Sequence, residues 1–452
     1  MQLFPLPDQT IAGVSEALQS GRRTCIDVVE GCLTQIDELE PHVHAWVHVD
    51  REGALSRARE LDADAAAGRR QGPLHGIPVG IKDIVDVAGW TTAVGSELMA
   101  QQEPASEDAA LVAGLRVAGA VILGKTVTTH FACYDPPLTR NPWNAEHTPG
   151  GSSSGSAAAV ASRMCFAAIG SQTGGSITRP SAFCGVAGCK PTLGRVSVHG
   201  VFPVAPCLDH PGPIARSVRD LAVMLDAIAG HDPRDPNSAN QPSPDIGSRL
   251  NAEPLPAAKI GRLRGFFESL ADQSARDAMD QTLSSLSAAG ATIAEPSLPK
   301  SFDDLHRNHF VIMSASAAAY HERRLAEHSD DYLPCFRAFL EEGLRVSAAE
   351  YVRSQQHQAQ TRQEILACFE GVDVLACPAA LGPAPDTSTT GDPAFNSPWS
   401  YTGLPTVSFP IGLSANGLPL AIQLVGRPFA EADLFRAATW CEDVIQREHT
   451  AG

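Results

Sequence analysis

The sequence has few basic residues, no CxxC cysteine pair and no long apolar run. Its 34 Lys and Arg are outnumbered by 51 Asp and Glu, which leaves a formal net charge of −17 over 452 residues. A chain this acidic is poorly suited to neutralising phosphates, so neither nucleic acid nor a membrane surface is expected as a partner. No stretch reaches the roughly 18 uninterrupted apolar residues of a spanning helix, and the first residues show no secretory signal pattern.

Eleven cysteines are present, but they form no CxxC motif and follow no regular spacing. Such cysteines are typical of buried thiols in a reducing compartment rather than of a disulfide scaffold. Histidines and cysteines also do not occur at metal-ligand spacings. We therefore expect a cytoplasmic protein without a metal site.

Helix and strand patterns alternate along the chain, and 43% of its residues are hydrophobic. This alternation predicts an α/β fold with a large core and parallel strand pairs. Thr24 with Asp27, and Ser347 with Glu350, have the spacing of helix capping boxes. The proline-containing segment 379–398 predicts a long structured loop, which in a compact domain is more often functional than idle.

The segment 119–126, GAVILGKT, matches the P-loop pattern GxxxxGK[ST] of nucleotide-binding proteins. A phosphate-binding loop needs a flexible turn whose backbone N–H groups converge, whereas the middle of this segment is a continuous apolar run. We therefore expect a buried strand here.

The segment 151–155, GSSSG, matches the GxSxG pattern in which the central serine, here Ser153, is a hydrolase nucleophile. That geometry requires a strand immediately before the motif, but the preceding residues RNPWNAEHTPG favour turns. We expect Ser153 and Ser154 instead to cap the following helix or to orient neighbouring groups through hydrogen bonds.

Three other residues form a more specific constellation. Lys82 lies in an apolar stretch, Ser152 in PGGSSSGS, and Ser176 directly after two glycines in TGGS. Consecutive glycines allow backbone N–H groups to turn toward one point beside a nucleophile, as an oxyanion hole requires. Taken alone, the glycine turn before Ser176 is either a structural turn or such a site, so its meaning depends on the other two segments.

Eight motifs in this order resemble the amidase signature family: GIPVGIKD, TRNPWN, PGGSSSGSAAAVA, QTGGSI, FCGVAGCKPT, GPIARSVRD, GDPAFNSPWSYTGLPTVSFPIG and GLPLAIQLVGRP. The resemblance extends from about residue 20 to 440 and implies one α/β domain over residues 1–452, with a large central mixed sheet covered on both faces by helices. It implies N-terminal helices (about 1–70), a signature core (about 71–230), a variable helical segment (about 300–370), and C-terminal strands and a helix (about 371–447).

The resemblance also implies a Ser-Ser-Lys triad, with Ser176 the nucleophile, Ser152 the bridging serine and Lys82 the base. A lysine is a base only when neutral, and at a reference pKa of about 10.4 roughly one in a few thousand is neutral at pH 7, so burial must lower that pKa. The alternative for Lys82 is an ammonium that reaches solvent or a carboxylate such as Asp83. The implied oxyanion donors are the backbone N–H groups of Thr173, Gly174, Gly175 and Ser176.

By the same resemblance, the chain would hydrolyse small-molecule amides, with anilides and carbamates as further candidates, and would form a homodimer. No metal or organic cofactor has a task in this scheme.

Two departures from the commonest family pattern bear on the substrate. Many members read DTGGSIRxP, whereas this chain has Gln172 for the acid, Thr178 for the arginine and Arg179 one place later. This variant resembles a malonamidase-type subset in which that arginine contacts a substrate carboxylate. Arg179 therefore either clamps a carboxylate or ties the following loop to an acidic neighbour. His130 stands where relatives have a glutamate, and either lines the pocket or, as we favour, packs in the core.

Substrate contacts are expected from segments 129–136 and 303–345 and from the loop around residue 399. Aromatic and apolar groups there would suit an aryl or alkyl amide, anilide or carbamate. The candidate contact residues are His130, Phe131, Tyr134, Ser153, Gln172, Arg179, Trp399 and Tyr401.

Two other functions stay open at this point. The chain could be the glutaminase-like component of a tRNA-dependent amidotransferase, which would need partner proteins, although the missing Asp and Arg beside the glycine turn argue against it. It could also be a non-catalytic binding paralogue, although all three triad positions are present.

Overall fold

One mixed sheet runs through the protein. The computed structural model describes residues 3–250 and 254–451, and within them eleven strands join this sheet. The strands are β1 (Trp46–Val49), β2 (Pro78–Lys82), β3 (Val121–Thr126), β4 (Ala167–Gln172), β5 (Ala187–Lys190), β6 (His210–Ala215), β7 (Lys259–Arg262), β8 (Thr292–Ala294), β9 (Val374–Pro378), β10 (Thr406–Leu413) and β11 (Pro419–Val425). Their spatial order is β1-β3-β2-β4-β6-β5-β10-β11-β9-β7-β8.

Helices flank this sheet. They are α1 (Ile11–Gln19), α2 (Cys25–Val43), α3 (Arg51–Ala66), α4 (Ala110–Val117), α5 (Ser154–Ala161), α6 (Thr178–Cys184), α7 (Val218–Ile228), α8 (Ile246–Leu250), α9 (Phe266–Leu270), α10 (Gln273–Ala288), α11 (Leu305–Glu327), α12 (Pro334–Gly343), α13 (Ala348–Glu364), α14 (Ser397–Thr402) and α15 (Glu431–Ala451). The predicted α/β fold with a large mixed sheet is confirmed.

Strand direction divides the sheet into regions. β2 lies parallel to both β3 and β4, and β7 lies parallel to both β8 and β9, whereas the other neighbouring pairs are antiparallel. Every residue of β2, β3 and β4 is buried, as expected for parallel strands covered on both faces. The expected parallel pairing therefore holds at the N-terminal core and again at β7 to β9.

The P-loop-like segment forms strand β3, as its apolar run predicts. Its lysine, Lys125, is buried and forms an ion pair with Asp83 at 2.9 Å. Because residues 121–126 are extended and paired within the sheet, they do not form the turn that a phosphate-binding loop needs.

The predicted helix starts are present. The Thr24 hydroxyl accepts from the Asp27 N–H, and the Asp27 carboxylate accepts from the Thr24 N–H, which completes a capping box at α2. At α13, Ser347 accepts from the Glu350 N–H at 3.2 Å, but Glu350 does not make the reciprocal bond, so only half of the predicted capping box forms. These local contacts are readable from sequence because both partners lie within one turn.

Helix α5 consists almost entirely of small buried residues. A Cβ on Gly155 would lie 2.2 Å from the carbonyl oxygen of Ala45 and 2.4 Å from the backbone N of Val127, so only glycine allows this approach. The helix therefore packs closely against the sheet beside β2, β3 and β4. This contact fixes the position of the serine-rich loop that precedes it.

All eleven cysteines are free thiols. Cys335 is exposed and Cys207 partly exposed, while the others are buried, so the expected burial holds for all but these two. Among the described residues, no helix is long and apolar enough to cross a membrane.

Candidate active site

The lysine and serine segments meet at one edge of the sheet. Because β2 and β4 are parallel, with Ile81 opposite Ile169, their carboxyl ends lie together at this edge. Lys82 is the last residue of β2, and Ser171 lies near the end of β4. Ser152 precedes α5, which packs against both strands.

Lys82 is completely buried and hydrogen-bonded to two hydroxyls. Its Nζ lies 2.7 Å from the Oγ of Ser152 and 2.9 Å from the Oγ of Ser171. In the described chain it forms no ion pair within 4.0 Å, since the nearby Asp83 is paired with Lys125 instead. The ammonium therefore reaches neither solvent nor a carboxylate partner, contrary to the alternative considered from the sequence.

Burial makes Lys82 a candidate base. Desolvation lowers the pKa of the amine to about 7, although the Cys133 thiol and the Asp209 carboxylate oppose the shift. A substantial fraction of this lysine is then neutral near pH 7, which proton acceptance requires.

Ser176 and Ser152 line the same cavity, whose volume is about 170 Å³. Ser176 is partly exposed to it, whereas Ser152 is buried beside Lys82. The N–H of Ser153 donates to the carbonyl of Ser176 at 3.3 Å, which holds the two serine loops against each other. The structure thus brings the three predicted triad residues to one site.

The glycine turn that leads to Ser176 is anchored by buried polar contacts. The Thr173 hydroxyl donates to the Asp209 carboxylate, and His309 Nε2 donates to the Thr173 carbonyl at 3.0 Å. Gln172 holds the other end, because its Oε1 accepts from the N–H groups of Ile177 and Thr178 at 3.0 Å each. Gln172 thus holds the turn in place and does not line the cavity.

Gly175 has no room for a side chain. A Cβ there would lie 2.7 Å from Asn396 Oδ1 and 3.1 Å from the Arg179 guanidinium. At Gly174, the nearest contacts would be Pro393 and His309 at 3.8 and 3.9 Å, which is ordinary packing. The second glycine is therefore required by its neighbours, and the first only permits the turn.

Arg179 lies in the cavity wall, and part of its guanidinium forms no hydrogen bond. One NH2 donates to the Gly151 carbonyl at 2.8 Å and to the Thr390 hydroxyl at 3.3 Å. Its Nε and NH1 are buried without a hydrogen-bond partner, and no carboxylate of the described residues lies within 4.0 Å. Burial lowers the pKa of Arg179 to about 10, with Asp392 opposing the shift, so the group stays cationic at pH 7.

The remaining walls come from two segments predicted to contact the substrate, 129–136 and 303–345, and from the proline-containing loop 379–398. Segment 129–136 contributes Ala132, Cys133 and Tyr134, and helix α11 contributes His306, His309, Phe310 and Met313. The loop 379–398 contributes Thr390, Gly391, Pro393 and Ser397. Of the aromatic residues named from the sequence, Tyr134 lines the cavity.

Other predicted contact residues lie elsewhere. Trp399 is fully buried and stacks on Phe267 at 5.9 Å, and the Tyr401 hydroxyl donates to the Ser354 carbonyl at 3.1 Å. Their burial in the packing around α14 keeps both side chains out of the cavity wall.

The contact candidates His130, Phe131 and Ser153 also lie outside the cavity wall. His130 Nδ1 is hydrogen-bonded to the Gly95 carbonyl at 2.8 Å, and its ring packs against Phe131 in an aromatic cluster, which favours the packing alternative. Ser153 Oγ bonds the backbone of Ser171 and makes no capping bond to α5. The hydroxyl of Ser154, by contrast, donates to the Gly150 carbonyl at 2.6 Å.

Sequence reasoning missed Ser171, His309 and Ser400, which contact Lys82 or the glycine turn. The Lys82–Ser171 contact joins residues 89 positions apart, and the one between His309 and Thr173 joins residues 136 apart. Single serines and histidines carry no motif, so only the fold reveals them.

These observations define an α/β protein in which a buried lysine is hydrogen-bonded to a serine in the wall of a cavity. A family model described as Amidase matches residues 27–435, so the chain belongs to the amidase signature family. It is 36% identical to the A component of the glutamyl-tRNA(Gln) amidotransferase of Thermosynechococcus vestitus, over 92% of this chain and 94% of that protein.

Solved structures of similar proteins share this fold. One, described as "An unexpected vestigial protein complex reveals the evolutionary origins of an s-triazine catabolic enzyme", is 31% identical with a TM-score of 0.91, over 96% of this chain and 98% of that chain. The peptide amidase of Stenotrophomonas maltophilia is 30% identical with a TM-score of 0.85, over 97% of each chain. The relatives thus include both amidases and components of amidotransferases.

Proposed function

We propose that this protein is an amidase that hydrolyses C–N bonds of small-molecule amides through an acyl-enzyme on Ser176. The observation that carries the proposal is the 2.7 Å contact between buried Lys82 and Ser152, in the wall of the cavity that Ser176 also lines. A buried amine with a lowered pKa beside a hydroxyl is a base for a serine relay.

The reaction proceeds in two halves. Neutral Lys82 takes the proton of Ser152, Ser152 takes that of Ser176, and Ser176 Oγ attacks the amide carbon. The C–N bond then breaks as the proton returns through Ser152 to the leaving nitrogen, which departs as ammonia or an amine. Water hydrolyses the resulting ester by the same relay and regenerates Ser176.

The glycine turn supplies the electrostatic stabilisation. In this mechanism, the backbone N–H groups of residues 173–176 donate to the oxygen that becomes negative in the tetrahedral intermediate. Removing one donor of this kind costs about 2.7 to 4 kcal/mol of transition-state stabilisation.

The same site supports an anionic substrate group. The unpartnered Nε and NH1 of Arg179 are buried in the cavity wall, and the guanidinium lies over Gly175, next to Ser176. A buried cation without a counter-ion favours binding of a carboxylate. Because the Arg179 guanidinium lies next to the residue that would attack, that carboxylate must be close to the scissile carbonyl of the substrate. We therefore favour malonamate-like substrates over neutral anilides and carbamates.

The first experiment compares hydrolysis of malonamate, a neutral anilide and an aryl carbamate by amine or ammonia release. Ser176→Ala is the matched control and should be inactive on all three. Labelling of Ser176 by a fluorophosphonate probe separates an enzyme from a non-catalytic paralogue. Activity that survives in Ser176→Ala would remove Ser176 from the mechanism.

The Arg179→Met variant tests the substrate class. We expect KM for malonamate to rise by about tenfold to a hundredfold, since a charge-assisted contact contributes roughly 1.5 to 3 kcal/mol. The KM for a neutral anilide should change little. Equal effects on both substrates would make Arg179 a loop tie and not an anion site.

A second candidate function is supported by the relatives. Amidotransferase components resemble this chain over nearly their whole length, so a glutaminase-like role in a complex is the competing proposal. Ammonia release from glutamine and a stable complex in a pull-down would favour it. Light scattering of the purified protein would at the same time test the expected homodimer.

A further inference from the structure

A chain of buried hydrogen bonds runs from Gln172 to the glycine turn. The Gln172 Oε1 accepts from two backbone N–H groups, which can only donate, so the orientation of the amide is fixed. Its NH2 group therefore faces the other way and donates to Ser400 Oγ at 3.3 Å. Both side chains are fully buried, so water does not compete for these bonds.

The direction of the next bond follows. Because the Ser400 oxygen accepts from the amide, its own proton is available, and it donates to the Gly174 carbonyl at 3.0 Å. That carbonyl is turned toward α14, which carries Ser400. The Gln172 amide thus donates to the Ser400 hydroxyl, which in turn donates to the Gly174 carbonyl.

The bond acts on one peptide unit of the turn. The C=O of Gly174 and the N–H of Gly175 share a planar peptide and point in opposite directions. Ser400 is not among the cavity-lining residues, whereas Gly174, Gly175 and Ser176 are. Holding the carbonyl toward Ser400 therefore turns the Gly175 N–H toward the side where the reacting carbonyl binds.

We propose that Ser400 and Gln172 are positioning residues, which hold the Gly175 N–H in the direction needed to stabilise the oxyanion formed at Ser176. The proposal rests on the proposed acyl transfer at Ser176. It also gives the glutamine at position 172 a task that an ionised aspartate cannot perform, since a carboxylate has no proton to donate to Ser400.

The test compares Ser400→Ala with Ser400→Thr. Ser400→Ala should lower kcat by about tenfold to a hundredfold with KM within about twofold, since complete loss of such a donor costs about 10²–10³ in kcat. Ser400→Thr keeps the hydroxyl and should recover most of kcat. Affinity for a tetrahedral boronic acid inhibitor should fall together with kcat in Ser400→Ala.

Ser408→Ala is the matched control. Ser408 is also a fully buried serine, and its hydroxyl donates to the carbonyl of Gly188 at 3.4 Å, away from the cavity. Its kcat and inhibitor affinity should equal those of the unmodified protein. A similar loss in both variants would assign the effect to packing and overturn the proposal.

Gln172→Glu tests the link to Ser400. Glutamate keeps an oxygen for the Ile177 and Thr178 N–H groups, but its second oxygen draws the Ser400 proton away from Gly174. Introduced alone, Gln172→Glu should lower kcat. Introduced into Ser400→Ala, the same substitution should cause little further loss in kcat. Additive losses would show that Gln172 does not act through Ser400.

Two outcomes separate this proposal from the proposed function. Activity that survives in Ser176→Ala removes both. An inactive Ser176→Ala together with unchanged kcat in Ser400→Ala removes only the positioning role. If Ser400→Ala does not fold, as judged by near-UV circular dichroism, an unchanged kcat in Gln172→Glu overturns the proposal and a loss in kcat supports it.

Discussion

The lowered pKa of Lys82 predicts a specific pH dependence. Desolvation brings this pKa to about 7, and the base is the neutral amine, so activity should rise with pH as the amine loses its proton. The kcat/KM should increase through a midpoint near pH 7 and reach a plateau above about pH 8.

The size of the effect follows from the neutral fraction. With a pKa of about 7, half of the amine is neutral at pH 7 and about one part in a hundred at pH 5, so kcat/KM should fall about a hundredfold between the plateau and pH 5. An ordinary lysine would be neutral in roughly one molecule in 2,500 at pH 7. Burial thus raises the population of active base about a thousandfold.

The assay is kcat/KM from pH 5 to 9 on one substrate, with circular dichroism at each pH to confirm folding. Lys82→Ala should lose about 10²–10⁴ in rate, the range of general base catalysis. Lys190→Met is the matched control, because burial also lowers the pKa of Lys190 to about 7. Lys190 donates to the Pro191 carbonyl and does not line the cavity, so its loss should leave the midpoint unchanged.

Two results would refute this reasoning. A flat profile from pH 5 to 9, or a midpoint above pH 9, would mean that the rate does not depend on a buried neutral Lys82. A midpoint that moves in Lys190→Met would assign the titration to the other buried lysine.

Two further predictions concern packing and stability. Gly175→Ala should lower kcat by about 10²-fold, because the added Cβ would displace Asn396 or the turn. Gly174→Ala should lower kcat less, because its added Cβ meets only ordinary contacts. Steady-state kinetics of the two variants tests this difference. Burial raises the pKa of Glu442 to about 8 from an ordinary 4.5, so the folded state loses stability as pH rises from 4.5 to above 8. Glu442→Gln keeps an acceptor for the Val218 N–H. It should raise the free energy of unfolding by a few kcal/mol at pH 9 and change it little near pH 5. Equal changes at both pH values would contradict the raised pKa of Glu442.

The sequence determined the elements and motifs whose signals are local. The capping box at Thr24, the apolar strand at the P-loop-like segment and the α/β alternation each depend on residues within one or two turns, and each is present in the structure. Lys82, Ser152 and Ser176 could also be predicted as site residues from sequence, because each lies in a motif of its own, and the structure places them close together. The glycine pair before Ser176 carried its own physical signal.

The tertiary structure decided which groups face the cavity. Sequence named Trp399 and Tyr401 for their chemistry, but their burial depends on how α14 packs against distant helices. It left Arg179 with two roles, and only the fold shows a buried guanidinium with two unpartnered nitrogens in the cavity wall. Ser171 and Ser400 join the site through contacts across 89 and 226 positions, and such contacts are set by strand order and helix packing rather than by any local pattern.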